Sequence, residues 1–238
     1  AVDTGTTMER RVRVIAGELE LEGSLSIPEG ASGLVLFAHG SGSSRFSPRN
    51  QRVALDLNER GLGTLLFDLL SAEEEELDLF TRELRFDIDF LAQRVIDALE
   101  WAAGYAETSK LRLGLFGSST GAAAALVTAA RRPRLVSAVV SRGGRADLAG
   151  EALSEVKAPT LLIVGGSDEV VLDLNRDALE QLTSEKKLSV VPGATHLFEE
   201  PGALQMVSRL AAEWFARYLG APIGRLPWEG TDSEPLWP

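Results

Sequence analysis

The chain has 238 residues, 45% hydrophobic and 25% charged, the composition of an ordinary globular protein with room for one large domain. Its 24 Lys and Arg against 35 Asp and Glu leave a net charge of −11, the wrong sign for displacing phosphate counterions, so nucleic acid is not an expected partner. The absence of cysteine excludes disulfides, thiolate metal ligands and a cysteine nucleophile, and two histidines, His39 and His196, are too few for a histidine-rich metal cage.

In chain order, AVDTGTTMERR carries no charged-then-apolar signal pattern, and Met8 reads as a natural start. Residues 1–10 are therefore expected to be an extension. RVRVIAGELELEGSLSIPEG alternates apolar and polar positions around Gly17 and Gly23, the period of two of antiparallel strands. Leu34–Ala38, Thr64–Phe67, Leu111–Phe116, Val136–Val140, Leu161–Val164 and Leu188–Val191 are instead continuous apolar runs, as suits parallel strands covered on both faces. Glu73–Glu76 is expected on a solvated loop or at a helix start.

Ile88, Leu91, Val95, Ala98 and Ala102 recur at helical spacing up to Gly104; Leu204, Val207, Ala211, Trp214 and Tyr218 do so up to Gly220. Strand and helix thus alternate over residues 11–220, an α/β layer architecture. Residues 221–238 hold four prolines with Trp228 and Trp237 and read as a flexible end or an extended contact arm. No segment reaches the ~18 apolar residues of a membrane span, the longest apolar stretch being Gly121 to Ala130. A cytoplasmic protein without membrane contact, monomeric or homodimeric, is expected.

Chemistry concentrates in LRLGLFGSSTGAAAALVTAA, where a strand runs through Gly117-Ser118-Ser119-Thr120-Gly121 into a helix of small residues. G-x-S-x-G in that setting holds its serine on a tight exposed bend, with the helix N-terminus favouring negative charge on a bound substrate. A serine hydroxyl needs a base and an orienting acid, in the chain order serine, acid, histidine. Only His196 lies downstream of Ser119. Asp168, after the strand Leu161–Val164 and Gly165–Gly166, is the expected acid, although a turn or helix cap would suit it too; Glu169, Asp173 and Asp177 fit less well. His39-Gly40-Ser41-Gly42 follows the first buried strand, where the backbone N–H of Ser41 or Gly42 would join that of Thr120 in an oxyanion hole. His39 is expected to hold that loop in place.

HGSGSS at 39–44, GSSTG at 117–121, LLIVGGSDEVV at 161–171 and PGATHLFEE at 192–200 together resemble an α/β-hydrolase of the dienelactone-hydrolase-like group, over roughly residues 20–219. The resemblance implies an α/β-hydrolase fold: a mostly parallel central sheet with an antiparallel N-terminal strand pair and helices on both faces. It also implies a serine-type triad of Ser119, Asp168 and His196, no metal and no organic cofactor. Dienelactone hydrolases proper carry cysteine at the elbow, where this chain has Ser119.

Arg142 and Arg145, after the strand Val136–Val140, and Arg45, after Gly42, are placed to bind a substrate carboxylate or to pair with the many local acids. Fewer than 20 residues separate Val140 from Thr160, too few for a large lid domain. Glu73–Glu76 looks too acidic to supply an apolar cover. The expected activity is hydrolysis of a small soluble carboxylic ester; the alternatives are an amidase or acyltransferase on the same residues, or a catalytically silent interaction domain on this fold.

Overall fold

The computed structural model describes residues 8–220. Expectations for residues 1–7 and for the tail with Trp228 and Trp237 lie outside the described residues. Within them, eight strands form one sheet: β1 (Arg10–Ala16), β2 (Leu19–Ser26), β3 (Gly33–Ala38), β4 (Gly63–Phe67), β5 (Arg112–Ser118), β6 (Val136–Arg142), β7 (Thr160–Gly165) and β8 (Lys186–Val191). Pairing begins at Arg10, just inside the expected extension. The spatial order is β1-β2-β4-β3-β5-β6-β7-β8, with β1–β2 and β2–β4 antiparallel and the remaining pairs parallel.

The continuous apolar runs are explained by two cores. Along β3, Leu34, Leu36 and Ala38 face one cluster while Val35 and Phe37 face the other. β4 divides likewise, Leu65 and Phe67 from Leu66. A strand covered on both sides has no polar face, and each large side chain fully buried there contributes about 1.5–3 kcal/mol. Helices α3 (Ile88–Gly104) and α4 (Thr120–Arg131) close the first core, and α1 (Pro48–Glu59) and α6 (Ala203–Leu219) close the second. The helix α5 (Glu169–Gln181) adds Ala178 to the first.

Helix α2 (Ala72–Thr81) refines the expectation for the glutamate run. Ser71 Oγ accepts from the Glu74 N–H while the Glu74 carboxylate accepts from the Ser71 N–H, a capping box that starts the helix. Glu74 is not merely solvated: both its oxygens accept from Arg94, at 2.6 and 2.7 Å, and Arg94 also donates to the Leu69 carbonyl. Between β6 and β7 there is no lid domain, only a 3-10 segment, Ala146–Glu155, broken at Gly150. No helix among the described residues is long and apolar enough to cross a membrane.

The topology also places the site. From β3 the chain passes to β4 on one side, then returns to β5 on the other. The strands β3 and β5 are parallel neighbours, with Ala38 opposite Gly117, so the loops leaving their C-terminal ends emerge side by side at a topological switch point.

Candidate active site

Ser119 sits between β5 and α4 with φ 52° and ψ −126°, a backbone conformation that L-residues avoid. The flanking glycines make the bend possible. A Cβ on Gly121 would lie 2.2 Å from the Ala38 carbonyl oxygen, and one on Gly117 would lie 2.5 Å from the Ala122 Cα. Neither neighbour can yield, because both are backbone. The Ser119 carbonyl accepts from the N–H groups of Ala122 and Arg145, which tie the bend to α4 and to the loop after β6.

His196 lies on the loop between β8 and α6, and its Nδ1 donates to Asp168 Oδ2 at 2.7 Å. Asp168 occupies the N-cap position of α5 yet makes no side-chain cap bond. Its carboxylate is turned to the imidazole instead. A Nδ1–H held by a carboxylate leaves Nε2 as the proton-accepting nitrogen. His196 and Ser119 line one cavity of about 250 Å³.

Ser41, from the loop after β3, and Thr120, the first residue of α4, meet directly. Their hydroxyls share a 2.7 Å hydrogen bond, and Ser41 Oγ donates onward to the Arg85 carbonyl at 3.2 Å. Behind them His39 is buried, with Nδ1 donating to the Gly40 carbonyl at 2.9 Å and Nε2 accepting from the Leu69 N–H at 3.0 Å. Those partners require the neutral Nδ1–H tautomer, and burial pushes the histidine below its ordinary pKa. His39 therefore joins the loop after β3 to the chain after β4.

The arginines separate. Arg45 is paired with Asp68 and lies over the Phe46 ring, bordering a different depression from that of Ser119. It is the local ion pair, not a group facing the serine. Arg145 likewise pairs with Asp147 at 2.8 Å. Arg142 does not, among the described residues: its register partner on β5 is Ser118, it lines the cavity of Ser119, and its one side-chain hydrogen bond there is to Asn50 Oδ1 at 3.2 Å. Burial, with Arg49 adding repulsion, lowers its pKa to about 10. Arg49, in the first turn of α1, lines the same cavity, and nothing in the sequence pattern singled it out.

A second cavity, of about 130 Å³, lies across Gly40 and Ser41 and is lined by Leu69, Leu70, Leu79 and Thr120. Glu75, Asp78 and Leu79 reach it from α2. The glutamate run therefore opens a helix whose Glu75 lines this cavity and whose C-terminal half carries exposed Leu77, Leu79 and Phe80. A serine hydroxyl and an imidazole oriented by a carboxylate, lining one cavity, are groups that acyl transfer can use.

A family model for the dienelactone hydrolase family matches residues 68–219, taking in GSSTG, SDE and ATH but not HGSGSS. A crystal structure of dienelactone hydrolase from Anabaena variabilis is 60% identical to the chain, covers 90% of it and 99% of its own length, and superposes with a TM-score of 0.88. A Mycobacterium tuberculosis protein bearing a phosphoribosyl transferase name is 54% identical over 214 residues, 90% of this chain and 47% of its own, so the chain spans about half the length of that curated relative. Est1E from Butyrivibrio proteoclasticus is similar in fold alone, with 15% identity and a TM-score of 0.73 over 87% of the chain and 98% of its own.

Proposed function

The chain belongs to the dienelactone hydrolase family, and from that premise we propose that it is a serine hydrolase cleaving a carboxylic ester of a small substrate through an acyl-enzyme on Ser119. The observation that carries the reading is the placement of Ser119, on a strained bend, in one cavity with an imidazole whose far nitrogen is held by Asp168.

In the proposed mechanism Ser119 Oγ attacks the ester carbonyl while His196 Nε2 takes its proton. The imidazolium is stabilised through Nδ1–H by Asp168, which stays ionised. The carbonyl oxygen would become an alkoxide stabilised by the Ser41 and Thr120 N–H groups, the oxyanion donors of the proposal. Collapse breaks the bond to the leaving alcohol, which departs with the proton from His196. Water then repeats the sequence on the acyl-enzyme, returning the acid and free Ser119. The strain at Ser119 keeps its hydroxyl off the α4 backbone and open to substrate.

A fluorophosphonate probe tests the reading. A single covalent adduct on Ser119, absent from Ser119→Ala, is expected, together with hydrolysis of p-nitrophenyl acetate. A folded protein that resists the probe and turns over no ester, thioester or amide would favour an interaction scaffold on this fold. The transferase name belongs to a protein about twice as long as this chain.

A further inference from the structure

The cavity in front of Ser119 holds an unbalanced charge. Arg142 is 6% exposed, and its Nε is buried with no hydrogen-bond partner. Arg49 is half-buried, and its Nε is buried and unpartnered too. Neither arginine forms an ion pair among the described residues, although the chain has 35 acidic residues against 24 basic ones. Their neighbours on this edge of the sheet are treated differently. Arg45 pairs with Asp68, Arg85 with Asp78, Arg94 with Glu74 and Arg145 with Asp147. Arg49 also borders a depression containing Glu199 and Glu200, yet pairs with neither; Glu200 Oε1 accepts from Thr195, and its Oε2 has no partner among the described residues.

No carboxylate lines the cavity, only serines, glycines, Leu197, His196 and the two arginines. The N-terminus of α1 also opens here at Ser47, with no acidic residue in its first turn. A guanidinium taken from water without a counter-charge is costly, and such a group is kept where a ligand supplies the missing charge. Two guanidinium groups with forked donors match the oxygens of a compact anion, and two positive charges match a dianion better than a monoanion.

We propose that Arg49 and Arg142 form an anion subsite beside Ser119 that receives a phosphate group carried by the substrate. Asn50, accepting from Arg142, holds the guanidinium plane in position. The ester carbonyl then lies over Ser119, and the phosphate fixes which end of the substrate faces the arginines. Turnover of such a substrate rests on the hydrolase reading above; the binding of the anion does not.

The test has two independent readouts. Titration calorimetry with inorganic phosphate at pH 8, against sodium acetate as the monoanion control, measures the subsite without turnover. Saturable phosphate binding is expected, weakened at least tenfold in Arg49→Met and in Arg142→Met, with circular dichroism and thermal melting verifying that each is folded. If Arg142→Met fails to fold, Arg49→Met and the milder Arg142→Lys carry the test. The second readout compares kcat/KM for p-nitrophenyl butyrate, hemisuccinate and 3-phosphonopropionate, which differ at the terminal group. The phosphonate is expected to exceed the butyrate at least tenfold, and that ratio is expected to collapse in both arginine variants. Butyrate turnover without phosphate binding or phosphonate preference would overturn the subsite and leave the hydrolase standing. Arginine-dependent phosphate binding without turnover of any ester would uphold the subsite and sink the hydrolase reading. A hemisuccinate preferred over the phosphonate would overturn the phosphate assignment in favour of a carboxylate.

Discussion

Replacing His39 by leucine removes a group that touches no substrate, yet it should damage both stability and catalysis. The imidazole satisfies two backbone groups at once, the Gly40 carbonyl and the Leu69 N–H. Leucine satisfies neither, and the site is too buried for water to replace it freely. A buried donor or acceptor left unpaired costs about 1–3 kcal/mol, so the two together cost roughly 2–6 kcal/mol. For a domain of this size each kcal/mol moves Tm by about 2–4 °C, which puts the expected drop at roughly 4–24 °C. Catalysis suffers because Gly40 precedes Ser41, whose N–H is the proposed oxyanion donor, and that loop would lose its tie to the chain after β4.

The same histidine makes stability depend on pH. Burial lowers its folded-state pKa, so between that value and the unfolded pKa of ~6.5 the unfolded chain binds more protons. Stability should therefore rise with pH across that window and gain nothing further from His39 above it; acidification through the window should cost stability. Differential scanning calorimetry from pH 5 to 8, with p-nitrophenyl acetate turnover and fluorophosphonate labelling at pH 8, follows both effects. His39→Leu should lose the acid-side slope as well as the baseline stability. A variant with wild-type Tm, wild-type labelling rate and an unchanged slope would refute the structural role given to His39.

Ser119→Ala and His196→Ala should each lower kcat by on the order of 10⁴–10⁶, and the double variant should be scarcely worse, because the two act as a unit; additive losses in steady-state assays would contradict the assignment. Asp168→Asn should lower kcat by about 10⁴ with little change in Tm, since an amide facing Nδ1 favours the wrong tautomer; a wild-type rate would remove Asp168 from the mechanism. Gly121→Ala should fail to give folded protein, because its methyl would meet the Ala38 carbonyl at 2.2 Å, and overpacking against rigid backbone has no cheap relief; a soluble variant of wild-type Tm is the contrary result. Among p-nitrophenyl esters, kcat/KM should peak at acetate or butyrate and fall by octanoate, because cavities of about 130 and 250 Å³ leave most of a long chain in water, at up to ~0.8 kcal/mol per CH₂. A maximum at palmitate would mean that the apolar end of α2, with Leu77 and Phe80, is the real acyl surface.

Sequence alone determined what depends on neighbours along the chain. The even apolar runs of β3, β4 and β5 announce strands buried on both faces, and the stripe from Ile88 to Ala102 announces α3, because a period in the sequence is a direction in space. The strand–turn–helix around Ser119 was legible in G-x-S-x-G, with Gly117 demanded by the adjacent turn of α4, but Gly121 is demanded by the Ala38 carbonyl of β3, a contact only the fold makes. Tertiary structure decided which charges find partners. Arg45, Arg142 and Arg145 look alike in the sequence, yet Asp68 and Asp147 claim two of them and leave Arg142 facing the serine with Arg49. Glu74 and Arg94, 20 residues apart, are as invisible to pattern as Arg49. An ion pair depends on a few ångströms across elements brought together only by packing, and the energy of a charge left over is set by burial, which no local window of sequence contains.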